Sequence, residues 1–238
     1  MTQRIAAADG SNRTRAVAAA LAAVRRGDLV LIPTESVYAV ATDAFSRRGV
    51  AALRDAKGYD EHVPLPVMVG SRSTVPGIAA RSSDDARALM DAFWPGPLTL
   101  LLDPQPTLAW DLTPSSPIAV RMPLHPLALA LLAQTGPLVV TSANLPGLSP
   151  PTDADDAIAQ LGDYAALVLD AGDVSDVTAL PSTVVDVTGE QPRVVRIGAI
   201  SIDRLRVVCP HVVDGDAVPT QEAEYARACR RRAGEGVA

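Results

Sequence analysis

Lys57 is the only lysine in a chain of 238 residues that carries 20 arginines, so its ammonium is the first group whose chemistry needs a reason. An ammonium is a compact point charge on a flexible stem, suited to a phosphate or an anionic intermediate where a planar guanidinium would impose a bidentate geometry. It lies in Asp55-Ala56-Lys57-Gly58, at the end of a helical pattern, where a cation also favours the helix dipole by about 0.3–1 kcal/mol. Arginine would serve that second purpose equally well. Further polar groups collect at the ends of apolar runs: Thr34-Glu35-Ser36 after Pro33, Arg121 after Val120, Thr141-Ser142-Ala143-Asn144 after Val140, and Pro181-Ser182-Thr183 just before another run. Singly, Thr34 or Ser182-Thr183 reads as a turn or a cap. Together, hydroxyls, an amide and a guanidinium near a lysine form a set able to hold a carboxylate and a polyphosphate.

The elements that must position these groups follow from periodicity and punctuation. Val17, Ala20, Leu21 and Val24 share one face of a helix from Arg13 to Arg26, which Gly27 ends. Asp28 to Pro33 reads as a buried strand, and Ser46 to Lys57 as a helix capped by Ser46 and closed by Gly58. A strand from Leu65 to Gly70, a helix from Ser83 to Phe93, and strands at Leu98 to Asp103 and Ile118 to Met122 come next. Then follow a helix from Pro126 to Gln134, a strand from Leu138 to Thr141, a helix from Ala154 to Leu161 capped by Thr152 or Asp153, and strands at Leu167, Thr183 and Arg193. Apolar strands interleaved with helices predict an α/β sheet buried on both faces. The last two strands, joined by Thr188-Gly189-Glu190-Gln191-Pro192, predict a hairpin and therefore a mixed sheet. Open sheets of this class place ligands at the carboxyl ends of their strands, where the polar clusters sit.

Composition sets the bounds. With 48% hydrophobic but only 3% aromatic residues, the core must be built from Ala, Val, Leu and Ile. A net charge of −6 argues against a surface coated for non-specific nucleic-acid binding, though it permits a local basic groove. Cys209 and Cys229 lack CxxC spacing, and His62, His125 and His211 are scattered, so spacing alone assigns no disulfide and no protein-built metal site. His125, just before Pro126, reads as structural. No signal-peptide pattern and no bilayer-length apolar run is present, which predicts a cytoplasmic protein without a membrane partner. Glycine-rich phosphate loops, GxSxG and HExxH are also absent. A domain over 13–207 is expected, followed by a polar tail over 208–238 that is partly disordered, with a short helix at Gln221 to Arg231 and a solvated Arg230-Arg231-Arg232.

Seven ordered blocks then carry a resemblance. Pro33-Thr34-Glu35-Ser36-Val37-Tyr38, Lys57-Gly58 with Pro64-Leu65, Trp94 to Thr99, Ala119-Val120-Arg121-Met122-Pro123, Thr141-Ser142-Ala143-Asn144, Pro181 to Asp186, and Arg196-Ile197-Gly198-Ala199-Ile200 resemble the motifs of the Sua5/YciO/YrdC family. The match runs from about Arg13 to Ser201. The resemblance implies a twisted mixed sheet with flanking helices around a large concave cleft. It also implies synthesis of threonylcarbamoyl-AMP and pyrophosphate from L-threonine, bicarbonate and ATP, with Mg2+ on the triphosphate. The product would supply a separate threonylcarbamoyl transferase complex that modifies adenosine 37 of tRNA. Carried over by position, Thr34, Arg121, Ser142 and Ser182 would contact L-threonine, and Lys57, Ser142, Asn144, Thr152 and Arg196 would hold the nucleotide, with Lys57, Ser142 and Asn144 catalytic. The chain departs from the family's Lys-x-Arg motif, having Tyr59 at the arginine, Val63 before Pro64-Leu65, and Asp60-Glu61 between them. The resemblance therefore also admits a paralogue that binds nucleotide or RNA without efficient synthesis, or that uses another carbamoyl acceptor. Arg54 and His62 are the nearby sources of a replacement cation.

Overall fold

The computed structural model describes residues 2–7, 10–61, 63–108, 110, 112, 117–175 and 180–215. In chain order the elements are β1 (Gln3–Ala6), α1 (Gly10–Arg25), β2 (Leu29–Pro33), β3 (Tyr38–Asp43), α2 (Arg47–Lys57), β4 (Val67–Met68), α3 (Val75–Ile78), α4 (Asp84–Phe93), β5 (Leu98–Leu102) and β6 (Ile118–Arg121). They continue with α5 (Pro126–Thr135), β7 (Leu138–Ser142), α6 (Ala154–Leu161), β8 (Ala165–Asp170), β9 (Thr183–Asp186), β10 (Arg193–Arg196), α7 (Ile202–Val208) and β11 (Val213–Asp214). All the strands join one sheet, in the order β1-β8-β2-β3-β7-β4-β6-β5-β9-β10-β11. It is mixed: β2 lies parallel to β8 and antiparallel to β3, β5 parallel to β9 and antiparallel to β6, and β9 and β10 form the expected hairpin.

The boundaries follow local chemistry. Ser46 caps α2 by accepting from the Gly49 N–H at 3.1 Å, and Gly58 ends it at φ 59°, a left-handed turn that glycine enters without the Cβ clash. Ser83 caps α4 and Asp153, rather than Thr152, caps α6. The strand expected from Leu65 to Gly70 contracts to Val67–Met68, because Pro64 and Pro66 have no N–H to give a ladder. Five elements were not legible in the pattern: β1, β3, α3, α7 and β11. Tyr38–Asp43 returns from β2 as an antiparallel strand through a four-residue loop, although its alanines carry little strand signal. β1 is polar and largely exposed and exists by pairing with β8, and α7 starts where Ser201 accepts from the Arg204 N–H. The sheet thus begins before residue 13 and ends at Asp214, past residue 207. His62, Cys229 and the segment from Gln221 to Arg232 lie outside the described residues.

Coverage of the sheet is unequal, and that inequality makes the site. On one face α2, α4, α6 and α7 pack against Leu31, Val40, Leu100, Val120 and Val185. On the other, α1 and α5 pack against Val30, Ile32, Ala39, Ala41 and Val140, using small residues (Ala16, Ala20, Ala23, Ala128) that allow close approach. α1 and α5 lie over β1, β2, β3 and β8, short of the β6-β5-β9-β10 half. There burial alternates: Leu100, Val120 and Val185 are fully buried, while Leu101, Ala119, Val184 and Asp186, which point the other way, are partly exposed. Register sets Arg121 opposite Thr99, Thr99 opposite Val184, and Val184 opposite Arg196, so two guanidinium-bearing residues and a hydroxyl stand in one row on that open face.

The end of the row is secured by Thr183. Its buried Oγ1 donates to the Ile200 carbonyl (2.7 Å) and accepts from the N–H groups of Gly198 and Ile200 (3.0 Å each). Thr183→Val keeps the shape and removes all three partners, and should cost about 1–3 kcal/mol for each buried group left unpaired. Urea unfolding measures this; a loss below roughly 0.5 kcal/mol would show that other contacts hold the 198–200 loop.

Candidate active site

The loop between β2 and β3 forms the first wall. Thr34 is buried and closes the loop, its Oγ1 donating to the Val37 carbonyl at 2.6 Å, so its hydroxyl is fixed by the turn. Glu35 leans across the open face and pairs through Oε1 with the Arg121 guanidinium. Arg121 also donates from Nε to the Gly96 carbonyl at 3.2 Å, which fixes the plane of its guanidinium. The second oxygen of Glu35, Oε2, is buried and has no hydrogen-bond partner among the described residues. Tyr38 anchors the loop from behind. Burial pushes its phenol up to about 12, so it stays neutral, donating to the Gly172 carbonyl and accepting from the Ala171 N–H, both at 2.9 Å. The Tyr38 N–H donates to the Pro151 carbonyl (2.7 Å), and the Thr152 carbonyl accepts from Val174 (2.8 Å), which brings the start of α6 to the same end of the sheet.

The second wall is the turn after β7. Lys57, 2% exposed, reaches from the last turn of α2 to donate to the Ser142 carbonyl at 2.8 Å and to the Asn144 carbonyl, with Asn144 Oδ1 at 3.4 Å. Ser142 donates its hydroxyl to Asn144 Oδ1, which turns the amide so that Nδ2 donates to the carbonyls of Leu145 (3.0 Å) and Leu148 (2.9 Å). Gln160 of α6 steadies the same loop by accepting from the Leu145 N–H. Lys57, Ser142 and Asn144 are therefore one unit. The Tyr59 ring lies 5.9 Å from the ammonium, a cation–π contact, with its hydroxyl 3.5 Å from Thr141 Oγ1. Arg54 is turned to the loop itself, donating to the carbonyls of Asp60 (2.6 Å) and Val63 (2.8 Å).

Across the open face, Arg196 holds Ser182: Nε and Nη2 donate to the Ser182 carbonyl (3.1 and 2.9 Å) and Nη2 to its hydroxyl (3.0 Å). That hydroxyl also shares a hydrogen bond with Thr99 Oγ1, 2.9 Å away, in which either oxygen can donate. Gly198 lets the strand ends meet this closely, since a Cβ there would fall 2.0 Å from the Pro181 carbonyl oxygen.

The expected residues thus fall into three groups, Arg121 joined through Glu35 to the loop that carries Thr34, Lys57 with Ser142 and Asn144, and Ser182 with Arg196, and Thr152 joins them only through backbone contacts of its neighbourhood. Reading by position missed Glu35 and Thr99, whose signal was their place inside the first and third motif blocks. His125 is structural: its Nδ1 accepts from the Leu127 N–H at 3.3 Å, and burial lowers the imidazole's pKa, keeping that nitrogen free to accept. Burial, aided by Asp85, pushes the Cys209 thiol up to about 11, which rules it out as a nucleophile near neutrality. What the geometry offers is a fixed guanidinium beside an acceptor without a donor, a hydroxyl pair, and a turn charged by a buried ammonium. That set suits an α-amino acid and an anionic partner.

The family model Sua5_yciO_yrdC, described as "Telomere recombination", matches residues 22–198. A protein of Mycobacterium tuberculosis, provisionally named a threonylcarbamoyl-AMP synthase, is 44% identical over 209 residues, 87% of this chain and 95% of its own length. The threonylcarbamoyl-AMP synthase of Bacillus subtilis is 34% identical over 195 residues, 81% of this chain but 56% of that longer protein. The structure of Pyrococcus abyssi Sua5 complexed with L-threonine superposes with a TM-score of 0.80 at 27% identity, over 90% of this chain and 62% of that one. With most of the chain matched by the family model and by a relative of nearly its own length, this protein belongs to the Sua5/YciO/YrdC family.

Proposed function

We propose that the protein converts L-threonine, bicarbonate and ATP into threonylcarbamoyl-AMP, pyrophosphate and water. The observation that carries this reading is the Arg121–Glu35 pair on the open face, with the donor-less Oε2 beside it. An α-amino acid is complementary to it, with its carboxylate on the guanidinium and its ammonium on the second carboxylate oxygen. The synthase names of the relatives and the L-threonine bound to the P. abyssi protein support the choice of substrate. The buried hydroxyls of Thr34 and Ser182 suit the substrate's own hydroxyl, which tells threonine from an aliphatic side chain because an unpaired polar site penalises the wrong ligand.

In this reading bicarbonate takes up a proton and loses water to give CO2, Glu35 takes a proton from the ammonium so that the amine can attack that CO2, and the adduct loses its remaining ammonium proton to solvent to become the carbamate. A carbamate oxygen then attacks the α-phosphorus of ATP and pyrophosphate leaves. Little covalent work falls to the protein; alignment and fixed charge lower the barrier. The Ser142–Asn144 turn, with Lys57 behind it, and Arg196 beside Ser182 supply that charge, and Thr152 lines the nucleotide end. Mg2+ would travel on the triphosphate, neutralising it and held by substrate oxygens and water, because the carboxylate at hand, Glu35, already pairs with Arg121. The product is a reactive mixed anhydride and would pass to a separate tRNA-modifying transferase complex in the cytoplasm. Among the described residues, no helix is long and apolar enough to cross a membrane. The tyrosine in place of the family arginine does not revive the non-synthesising alternative, since Arg54 holds the Asp60 and Val63 carbonyls and the Tyr59 ring lies against the Lys57 ammonium.

The deciding assay is pyrophosphate release with ATP, Mg2+ and bicarbonate, with and without L-threonine. Threonine-dependent release is expected; a folded protein that binds ATP yet releases no more with threonine than without it would overturn the reading. Arg121→Gln should raise the KM for threonine about 10- to 150-fold, matching about 1.5–3 kcal/mol for a charge-assisted contact, with a smaller change in kcat. Glu35→Gln should lower kcat by about 10²–10⁴-fold, the usual worth of a positioned base. Lys57→Met should abolish turnover and also lower the thermal midpoint, because the Ser142–Asn144 turn loses its anchor; an unchanged midpoint would confine Lys57 to the nucleotide.

A further inference from the structure

On the opposite side of the sheet from the open face, α7 packs against α4 and ends at Cys209. The Cys209 Sγ lies 3.5 Å from Oδ1 of Asp85, in the first turn of α4, and 3.9 Å from Nε2 of His211, which lies in turn 3.0 Å from Asp85 Oδ2. A nucleophile relay would put the thiol and the carboxylate on different nitrogens of the imidazole. Here one nitrogen, Nε2, faces both, so three ligand atoms converge on a point, all within 4.8 Å of one another. Zinc bonds of about 2.3 Å to sulfur and 2.0–2.2 Å to nitrogen and oxygen imply tetrahedral edges of roughly 3.3–3.7 Å; the sulfur and the imidazole nitrogen contact different oxygens of Asp85, so a small rotation of that carboxylate would present one oxygen to an ion held by both. The ligands are also held in advance. The Cys209 N–H donates to the Leu205 carbonyl (2.8 Å), the Val212 N–H to the Cys209 carbonyl (3.1 Å), and Gln191 Nε2 to the His211 carbonyl (2.8 Å).

We propose that Asp85, Cys209 and His211 bind Zn2+ through three protein ligands, the Cys209 thiol releasing its proton to solvent as the Zn–S bond forms, with the fourth position facing solvent beside the half-exposed His211. A thiolate, an imidazole and a carboxylate select zinc over magnesium or calcium, which favour all-oxygen sites. The ion clips the start of α4 to the end of α7 and to the approach of β11, the strand that backs β10 and its Arg196. Chain spacing does not show this site, because Asp85 lies 124 residues before Cys209. The site is independent of the synthase reading.

The test uses the untagged full-length protein, loaded with Zn2+ and dialysed for metal analysis, or loaded with Co2+ for absorption. The wild type and Cys229→Ser should keep about one zinc per chain and show a thiolate-to-cobalt charge-transfer band. Cys209→Ser should lose the band, and His211→Ala, at a residue exposed enough to leave folding intact, should weaken zinc retention at least about tenfold. A chelator should lower the thermal midpoint of the wild type and leave that of His211→Ala unmoved. A folded wild type with neither retained zinc nor the band, equal zinc in His211→Ala, or a band lost only in Cys229→Ser would overturn the proposal, leaving the cluster as a hydrogen-bonded clasp.

Discussion

The ammonium of Lys57 is buried, and the arrangement around the β7 turn depends on keeping it satisfied. Removing such an ion from water costs several kcal/mol, which only closely placed oxygens can offset. The carbonyls of Ser142 and Asn144 do so, and in turning toward Nζ they define the loop that presents the Ser142 hydroxyl and the Asn144 amide. The helix that brings Lys57 there must end at that residue, and Gly58 ends it. Arginine would not fit the role, because a planar fork cannot converge on carbonyls grouped around a single point.

A second constraint is the unequal cover of one sheet. Four neighbouring strands, β8, β2, β3 and β7, are sandwiched between helices and supply rigidity, while β6, β5, β9 and β10 turn one face to solvent. Rigidity on one half and access on the other put Thr99, Arg121 and Arg196 on strands and tie the loops that carry Glu35 and Asn144 to strand ends, which holds them to the narrow tolerances that alignment chemistry requires. Arg121 and Arg196 can stand in one register row without mutual repulsion dominating because each is engaged, one by Glu35 and one by Ser182.

The altered loop after Lys57 is held by contacts of its own. Its backbone is held from inside α2 by Arg54, and the Tyr59 ring stacks near the ammonium. Asp60 contributes its carbonyl to that bracing, whatever its carboxylate does to the local potential. Arg54, considered from sequence as a cation for the triphosphate, braces the loop through the carbonyls of Asp60 and Val63.

Short-range signals were legible in the sequence. Ser46 and Gly58 fixed both ends of α2, Ser83 the start of α4, and Thr188 to Pro192 the last hairpin, because caps and turns are decided within four or five residues. The strand-end clusters also named the residues that fall into the three groups of the candidate site. β3 escaped notice because its alanines gain strand character only from β2 and β7 on either side, and β1 because β8 lies far along the chain. The partners of the functional groups were invisible for the same reason: Glu35 meets Arg121 across 86 residues, and Lys57 meets Ser142 across 85. Residue types and local order therefore determined which elements form and which side chains carry charge. Only the tertiary structure decided which charges meet and which face of the sheet stays open, since both depend on the register and coverage of strands distant in sequence.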